Sequence, residues 1–218
     1  MQRYFIDQAY QSTIEVSGEA HHHMSRVMRM SVDDQVFLVF NDQTAIKAKI
    51  TAIDSDKVTL AEVEKESLLR ELPIQITIAS GFPKGEKLEL IVQKGTELGA
   101  HEFIAFPGES SVAKWDTKKQ QKKQQRLNKI AQEAAEQSHR QALPTVNFTS
   151  EKELTASFAD YDAVLIAYEE SAKQGEQAQL VQTLQALEAG QKLLVVFGPE
   201  GGLTPNEIEK FQAAGALL

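Results

Sequence analysis

The run Lys192–Phe197 (KLLVVF) constrains the fold of this chain more than any other segment. Its five consecutive apolar residues leave no face for water, so the segment has to lie in a sheet covered on both sides. Gly198-Pro199-Glu200-Gly201-Gly202 follows at once, and then Thr204-Pro205-Asn206-Glu207, which reads as an N-cap, a proline in the first turn and a capping-box glutamate. Strand, tight loop and helix in that order form the unit of a parallel α/β sheet. The same alternation runs back to Pro73. Ile74–Ala79 reads as a strand, Glu86–Leu98 as a helix and Glu102–Phe106 as a strand. Lys118–Arg140 reads as a long helix, Ala163–Ala167 as a strand and Glu176–Glu188 as a helix. The pattern predicts an α/β fold with a mostly parallel sheet.

The residues before Pro73 follow a different period. QVFLVF, AIKAKITAI and KVTLAEV fall between Gln35 and Val63, separated by Asn41-Asp42-Gln43 and Asp54-Ser55-Asp56. Ala48, Ile50 and Ala52 alternate with Lys47, Lys49 and Thr51, as in a half-buried antiparallel strand. Short strands with tight turns predict a small barrel or sandwich, preceded by a helix over Gly18–Met30. The division is therefore placed between residues 1–72 and 73–218.

Composition removes several functional classes. The chain has no cysteine, which excludes disulfides, thiolate metal sites and a catalytic thiol. No apolar run reaches the roughly 18 residues of a membrane span, and MQRYFIDQAYQS does not read as a secretory signal. These features predict a cytoplasmic enzyme or binding protein. The net charge of −8 disfavours a chain that coats nucleic acid indiscriminately. Against that background Lys114, Lys118, Lys119, Lys122, Lys123, Arg126 and Lys129 share one segment with a single acid, Asp116. The cluster is either a solvated helix face or a phosphate-facing surface.

Three further segments carry candidate chemistry. The loop after KLLVVF lies where open α/β sheets bind ligands, and it matches neither a Walker loop nor the dinucleotide-binding glycine pattern. His21-His22-His23 cannot converge on one ion, because neighbours on a helix diverge by ~100°, so no metal site is predicted. With Arg26 and Arg29 on the same helix, these histidines face phosphate or pack at a domain edge. Arg140 stands before Pro144 at the end of the long helix. Its spacing from Glu136 suits a surface ion pair, and its position suits a reach toward a substrate phosphate or base.

Four segments in order, His22-His23-Met24-Ser25-Arg26-Val27-Met28-Arg29, Lys94-Gly95-Thr96-Glu97-Leu98-Gly99, Glu133 through Arg140, and Gly198-Pro199-Glu200-Gly201-Gly202-Leu203, together resemble the RsmE family. These are the small-subunit ribosomal RNA uridine-N3 methyltransferases of the SPOUT, or trefoil-knot, superfamily. The resemblance implies an N-terminal PUA-like β-barrel that helps hold RNA and a knotted C-terminal α/β domain that binds S-adenosylmethionine. It also implies a homodimer acting on small-subunit ribosomal RNA, within the assembled subunit, without a metal or a membrane. Carried over by residue, the cofactor is held by Leu165, Ala167, Tyr168 and Glu169 after one strand, and by Phe197, Gly198, Pro199, Glu200, Gly201 and Gly202 after the next. The RNA-facing set is His22, Arg26, Arg29, Lys84, Lys118, Lys122 and Arg126, and Arg140 is the catalytic candidate. The family continues beyond Leu218 with a segment that closes the knot, so the sequence is expected to be truncated there. The alternatives are a related enzyme with another RNA target and an RNA-binding protein without turnover.

Overall fold

The computed structural model describes residues 1–68, 70–168 and 177–218. The chain divides into two compact units, Met1–Glu71 with Ala135–Leu143, and Leu72–Ala134 with Pro144–Leu218. The first unit therefore takes in a second stretch of chain that a single boundary near Pro73 does not foresee.

The first unit is built on a five-stranded sheet. Its strands are β1 (Arg3–Phe5), β2 (Thr13–Ser17), β3 (Gln35–Val39), β4 (Ala45–Ile53) and β5 (Lys57–Lys65), in the order β1-β3-β4-β5-β2. The predicted alternation in β4 holds: Ile46, Ala48 and Ile50 are fully buried, and Lys47 and Lys49 face outward to Glu64 and Asp33. Register shifts between Lys47 and Ala48 and between Ile50 and Ala52 bend the β4–β5 pair, curving the sheet around Val36, Leu38, Val58 and Leu60. The predicted Gly18–Met30 helix is shorter. It runs as α1 (Gly18–His22), continues as one π-helical turn (His23–Val27), and breaks off before Arg29, which adopts a left-handed φ of 52°. Met24, fully buried, fastens this turn to the sheet.

In the second unit β6 (Gln75–Gly81), β7 (Glu102–Phe106), β8 (Thr145–Phe148), β9 (Ala163–Ala167) and β10 (Lys192–Phe197) form an all-parallel sheet in the order β8-β7-β6-β10-β9. As its composition requires, β10 is an interior strand: Leu194 and Val196 are fully buried between β6 and β9. Helices α2 (Lys87–Glu97), α3 (Thr117–Gln137), α4 (Glu151–Ala156), α5 (Gln177–Ala186) and α6 (Pro205–Ala213) make the connections. Two apolar clusters cover the sheet, one with Phe82, Val92, Phe103 and Leu127, the other with Phe106, Leu154, Ile208 and Phe211. Leu217 adds a parallel bridge outside β9, donating from its N–H to the Val164 carbonyl and accepting from the Ile166 N–H. The predicted helix start at Glu176 lies outside the described residues. Helix α3 ends at Gln137, three residues before the predicted Arg140, because His139 turns left-handed at φ 59°.

Candidate functional site

Strand order reverses beside β6: β7 and β8 build outward on one side, whereas β9 and β10 lie on the other. At such a switch point the loops leaving the carboxyl ends of adjacent strands diverge and open a crevice. The crevice here is a cleft of about 420 Å³ lined mainly by apolar side chains. Ile78, Ser80, Pro83, Lys87 and Ile91 form one side, and Phe197 through Glu200 the other.

The loop after β10 folds back tightly on itself. A Cβ on Gly198 would stand 2.6 Å from the Gly202 carbonyl carbon and 2.7 Å from the Leu203 nitrogen, both backbone atoms that cannot yield locally. A Cβ on Gly81, at the end of β6, would meet Pro199 Cδ at 2.6 Å. Only glycine fits at these two positions, which lets the loop backbone close on itself and lets Gly81 pack directly against Pro199.

Three carboxylates hold this arrangement. Glu200 accepts from the Lys87 ammonium at 2.8 Å and from the Lys84 N–H at 3.0 Å, tying the glycine loop to the turn after β6. Those two partners hold its carboxyl down to about 2. It is thus a fixed anion at neutral pH and a poor proton acceptor. Glu207 is fully buried and closes the predicted capping box with Thr204, its carboxylate accepting from the Thr204 N–H at 2.8 Å. The same carboxylate accepts from the Glu109 N–H at 2.9 Å, which draws in the loop after β7. Glu109 in turn accepts from the Thr204 hydroxyl at 2.7 Å, the Asn206 amide at 2.6 Å and the Lys210 ammonium at 3.3 Å, and these contacts keep its carboxyl below the ordinary value. Sequence reasoning found Glu207 as a cap and missed Glu109. The available signal was its place just past the carboxyl end of a strand, in Phe106-Pro107-Gly108-Glu109.

The other proposed cofactor residues lie beside this loop. Ala167 pairs in register with Phe197 at the ends of β9 and β10. Ala167 is exposed and Tyr168 half-buried, whereas Leu165 is buried within β9, paired with Val195 and bridged to Leu217. Glu169 lies outside the described residues.

Arg140 does not join this set. It belongs to the first unit and is buried at 3 % exposure. Its guanidinium is hydrogen-bonded to the Glu71 carboxylate, at 2.5 Å from Nη2 and 3.2 Å from Nε. Glu71 also accepts from the Gln141 N–H at 2.8 Å and the Ala142 N–H at 3.0 Å. Burial pushes the Glu71 carboxyl up, but Arg140 and these two N–H groups outweigh it, so it titrates below the ordinary carboxylate value. The sequence offers Arg140 a surface pair with Glu136 or a reach toward substrate; in the folded chain its side chain is buried and bonded to Glu71. A second arginine, Arg3, donates to the Arg140 carbonyl at 3.2 Å and to Glu66 at 2.6 Å.

His22, Arg26 and Arg29 are exposed in the first unit, at i, i+4 and i+7. Their neighbours are committed elsewhere: His23 Nδ1 shares a 2.9 Å hydrogen bond with the Tyr4 hydroxyl, and His21 Nε2 lies 3.2 Å from the Asp54 carbonyl. Burial, reinforced by Glu136, pushes the Tyr4 phenol up to about 12. Among the described residues no group of histidines and acids is placed to hold a metal ion. In the second unit Lys84, Lys118 and Lys122 are exposed, and Arg126 pairs with Glu89 at 2.7 Å. No helix among the described residues is long and apolar enough to cross a membrane.

Comparison with known proteins agrees with this architecture. Residues 70–218 match the RNA methyltransferase domain family, and residues 16–63 match the RNA methyltransferase PUA domain. The ribosomal RNA small subunit methyltransferase E of Bacillus subtilis is 47% identical over 96% of this chain and 84% of its own length. The crystal structure of a hypothetical protein superposes with a TM-score of 0.92 at 42% identity, covering 99% of this chain and 88% of the other. A ribosomal RNA small subunit methyltransferase E from Neisseria gonorrhoeae, bound to S-adenosyl methionine, shares the fold with a TM-score of 0.81 at 21% identity, over 99% of this chain and 87% of that one. By sequence along nearly its whole length, this chain belongs to the ribosomal RNA small subunit methyltransferase E family of RNA methyltransferases.

Proposed function

We propose that this protein transfers a methyl group from S-adenosylmethionine to N3 of a uridine in small-subunit ribosomal RNA, acting in the cytoplasm as a homodimer with a knotted second domain. One observation carries the reading: the Gly198–Leu203 turn, closed so tightly that Gly198 admits no side chain, borders the apolar cleft at the switch point, where open α/β sheets bind ligands. The bound cofactor would supply an electrophilic sulfonium methyl. Phe197 through Gly202, with Leu165, Ala167 and Tyr168, would hold it; Glu169 is the remaining candidate. Glu200, Glu207 and Glu109 keep the turn in shape. The exposed Leu90 of α2 and Leu98 just past its end favour a covered face between two copies.

Uracil N3 carries a proton that must leave as the new N–C bond forms, and N3 lies on the pairing edge, so the target has to be unpaired. Glu200, held near 2, is not suited to take that proton. The chain's contribution is then mainly positioning. RNA would be held by His22, Arg26 and Arg29 of the first unit and by Lys84, Lys118, Lys122 and Arg126 of the second, Arg126 exchanging Glu89 for phosphate. Arg140 takes a structural part in this reading, as the clamp on Glu71. The test is methyl transfer from labelled S-adenosylmethionine to small ribosomal subunits lacking their native methylation, followed by nucleoside analysis. Label on 3-methyluridine supports the proposal; label on another nucleoside or on a ribose hydroxyl overturns the assignment of N3.

A further inference from the structure

Trp115 is the only tryptophan in the chain, and it lies just before the basic helix α3. One face of its indole stacks on Phe82, with ring centroids 4.4 Å apart and planes at 23°. Phe148 meets it edge-on at 6.0 Å. Phe82 is buried in the core, so the indole is held rigidly from below and from one side. Its other face is covered differently. The Lys123 ammonium stands over the ring, 4.6 Å from the centroid, on a side chain only partly buried. Exposed Lys118, Lys119 and Lys122 flank it on the first turns of the same helix.

A ring that served only as core filler would have apolar side chains on both faces. Here the ring is only partly buried, and among the described residues the contact opposite Phe82 is a flexible cation on a helix rich in cations. That combination suits a nucleotide: the base stacks on the aromatic face, and the displaced ammonium moves to the phosphate beside it. A base offers far more stacked area than one ammonium, and Lys123 keeps an ionic partner after the exchange.

We propose that Trp115 is a stacking platform for one unpaired nucleotide of the RNA, with Lys123 as a cover that swings from the indole to the neighbouring phosphate. The proposal rests on the reading of α3 as an RNA-facing helix and adds to it the single-stranded character of what binds there. An A-form duplex keeps its base faces stacked internally and cannot use the platform.

Because the chain holds one tryptophan, the platform reports on itself. The full chain is titrated with an oligouridylate about ten nucleotides long. Indole emission is excited at the red edge of its absorption, where bases do not absorb, while the anisotropy of an end-labelled oligonucleotide is followed in parallel. The expected result is quenching that saturates with the same Kd as the anisotropy, and no quenching by a duplex of equal length. Trp115→Leu, which retains an apolar group against Phe82, should weaken oligonucleotide binding about tenfold, with Trp115→Phe recovering most of the loss. Lys123→Ala should keep the quenching and lower the salt slope by about 0.7, the contribution of one phosphate contact. Binding seen by anisotropy with unchanged indole emission overturns the platform and leaves the RNA-facing helix standing. Equal quenching by duplex overturns the stacking step. No binding by anisotropy overturns the platform together with the reading of α3 on which it rests.

Discussion

The segments around residues 21–29 and 133–140 look alike as sequence: each is helical, carries histidine, and ends in an arginine that suggests a nucleic-acid contact. The folded chain treats them in opposite ways. The first leaves His22, Arg26 and Arg29 in solvent, and the second buries Arg140 on Glu71. The difference is the presence of a carboxylate. A guanidinium leaves water only where a matched anion and further hydrogen bonds wait for it, and Glu71 supplies both to Arg140 and to the turn that follows. Among the described residues no carboxylate pairs with Arg26 or Arg29, and both side chains are exposed. Local spacing does not separate these cases, because Glu71 lies 69 residues before Arg140.

Breaking the buried clamp should have the largest effect. Arg140→Ala strands the Glu71 carboxylate and is expected to destabilise the first unit by about 3 kcal/mol in urea denaturation, with Arg140→Lys restoring part of the loss. A change below about 1 kcal/mol would show that the clamp contributes little.

The same region should be acid-sensitive, and the sign follows from two groups. His139 has its imidazole pushed below the ordinary value of 6.5, first by burial and then by Arg3, Arg70 and the N-terminal amine. Below that pH the unfolded chain takes up a proton that the folded chain resists, so stability falls. Glu71, depressed below 4.5, contributes stability that is present above that value and lost as pH drops through its folded pKa. Stability should therefore decline from about pH 6.5 downward and more steeply below 4.5. His139→Asn, which tolerates the left-handed φ of 59°, should flatten the upper part of that decline. An unchanged profile would mean that His139 is not the group responsible.

At the exposed segment the expected pattern reverses. Arg26→Gln with Arg29→Gln should move stability by no more than about 0.5 kcal/mol. RNA binding should weaken, and its salt slope should fall by about 0.7 for each lost phosphate contact. The smallest effect is expected at Arg126→Gln, whose pair with Glu89 is largely exposed on the arginine side; about 0.5 kcal/mol or less should be lost in thermal unfolding.

Period and loop chemistry made much of the fold legible: the β4 alternation, the double-sided burial of β10 and the Thr204–Glu207 cap all follow from short windows of sequence. Strands β1 and β8 escaped because three and four residues are too few to establish a period. Strand β2 does alternate, with Ile14 and Val16 buried, but the polar stretch before it masks so short a period. The glycine loop stood out in the sequence, yet the carboxylates that fix it did not, since Glu109 meets Glu207 across 98 residues. The π-helical turn after α1 and the left-handed Arg29 and His139 are tertiary outcomes with no propensity signal of their own.

The proposed division of labour, ligand binding at the glycine loop and structure at Arg140, is tested by one calorimetric comparison. S-adenosylmethionine would be titrated into the wild-type protein, Gly198→Ala and Arg140→Lys. The predicted result is at least about a tenfold loss of affinity for Gly198→Ala, whose new Cβ would press on backbone at 2.6 Å, and wild-type affinity for Arg140→Lys. Unchanged binding by Gly198→Ala, with binding lost in Arg140→Lys, would contradict it.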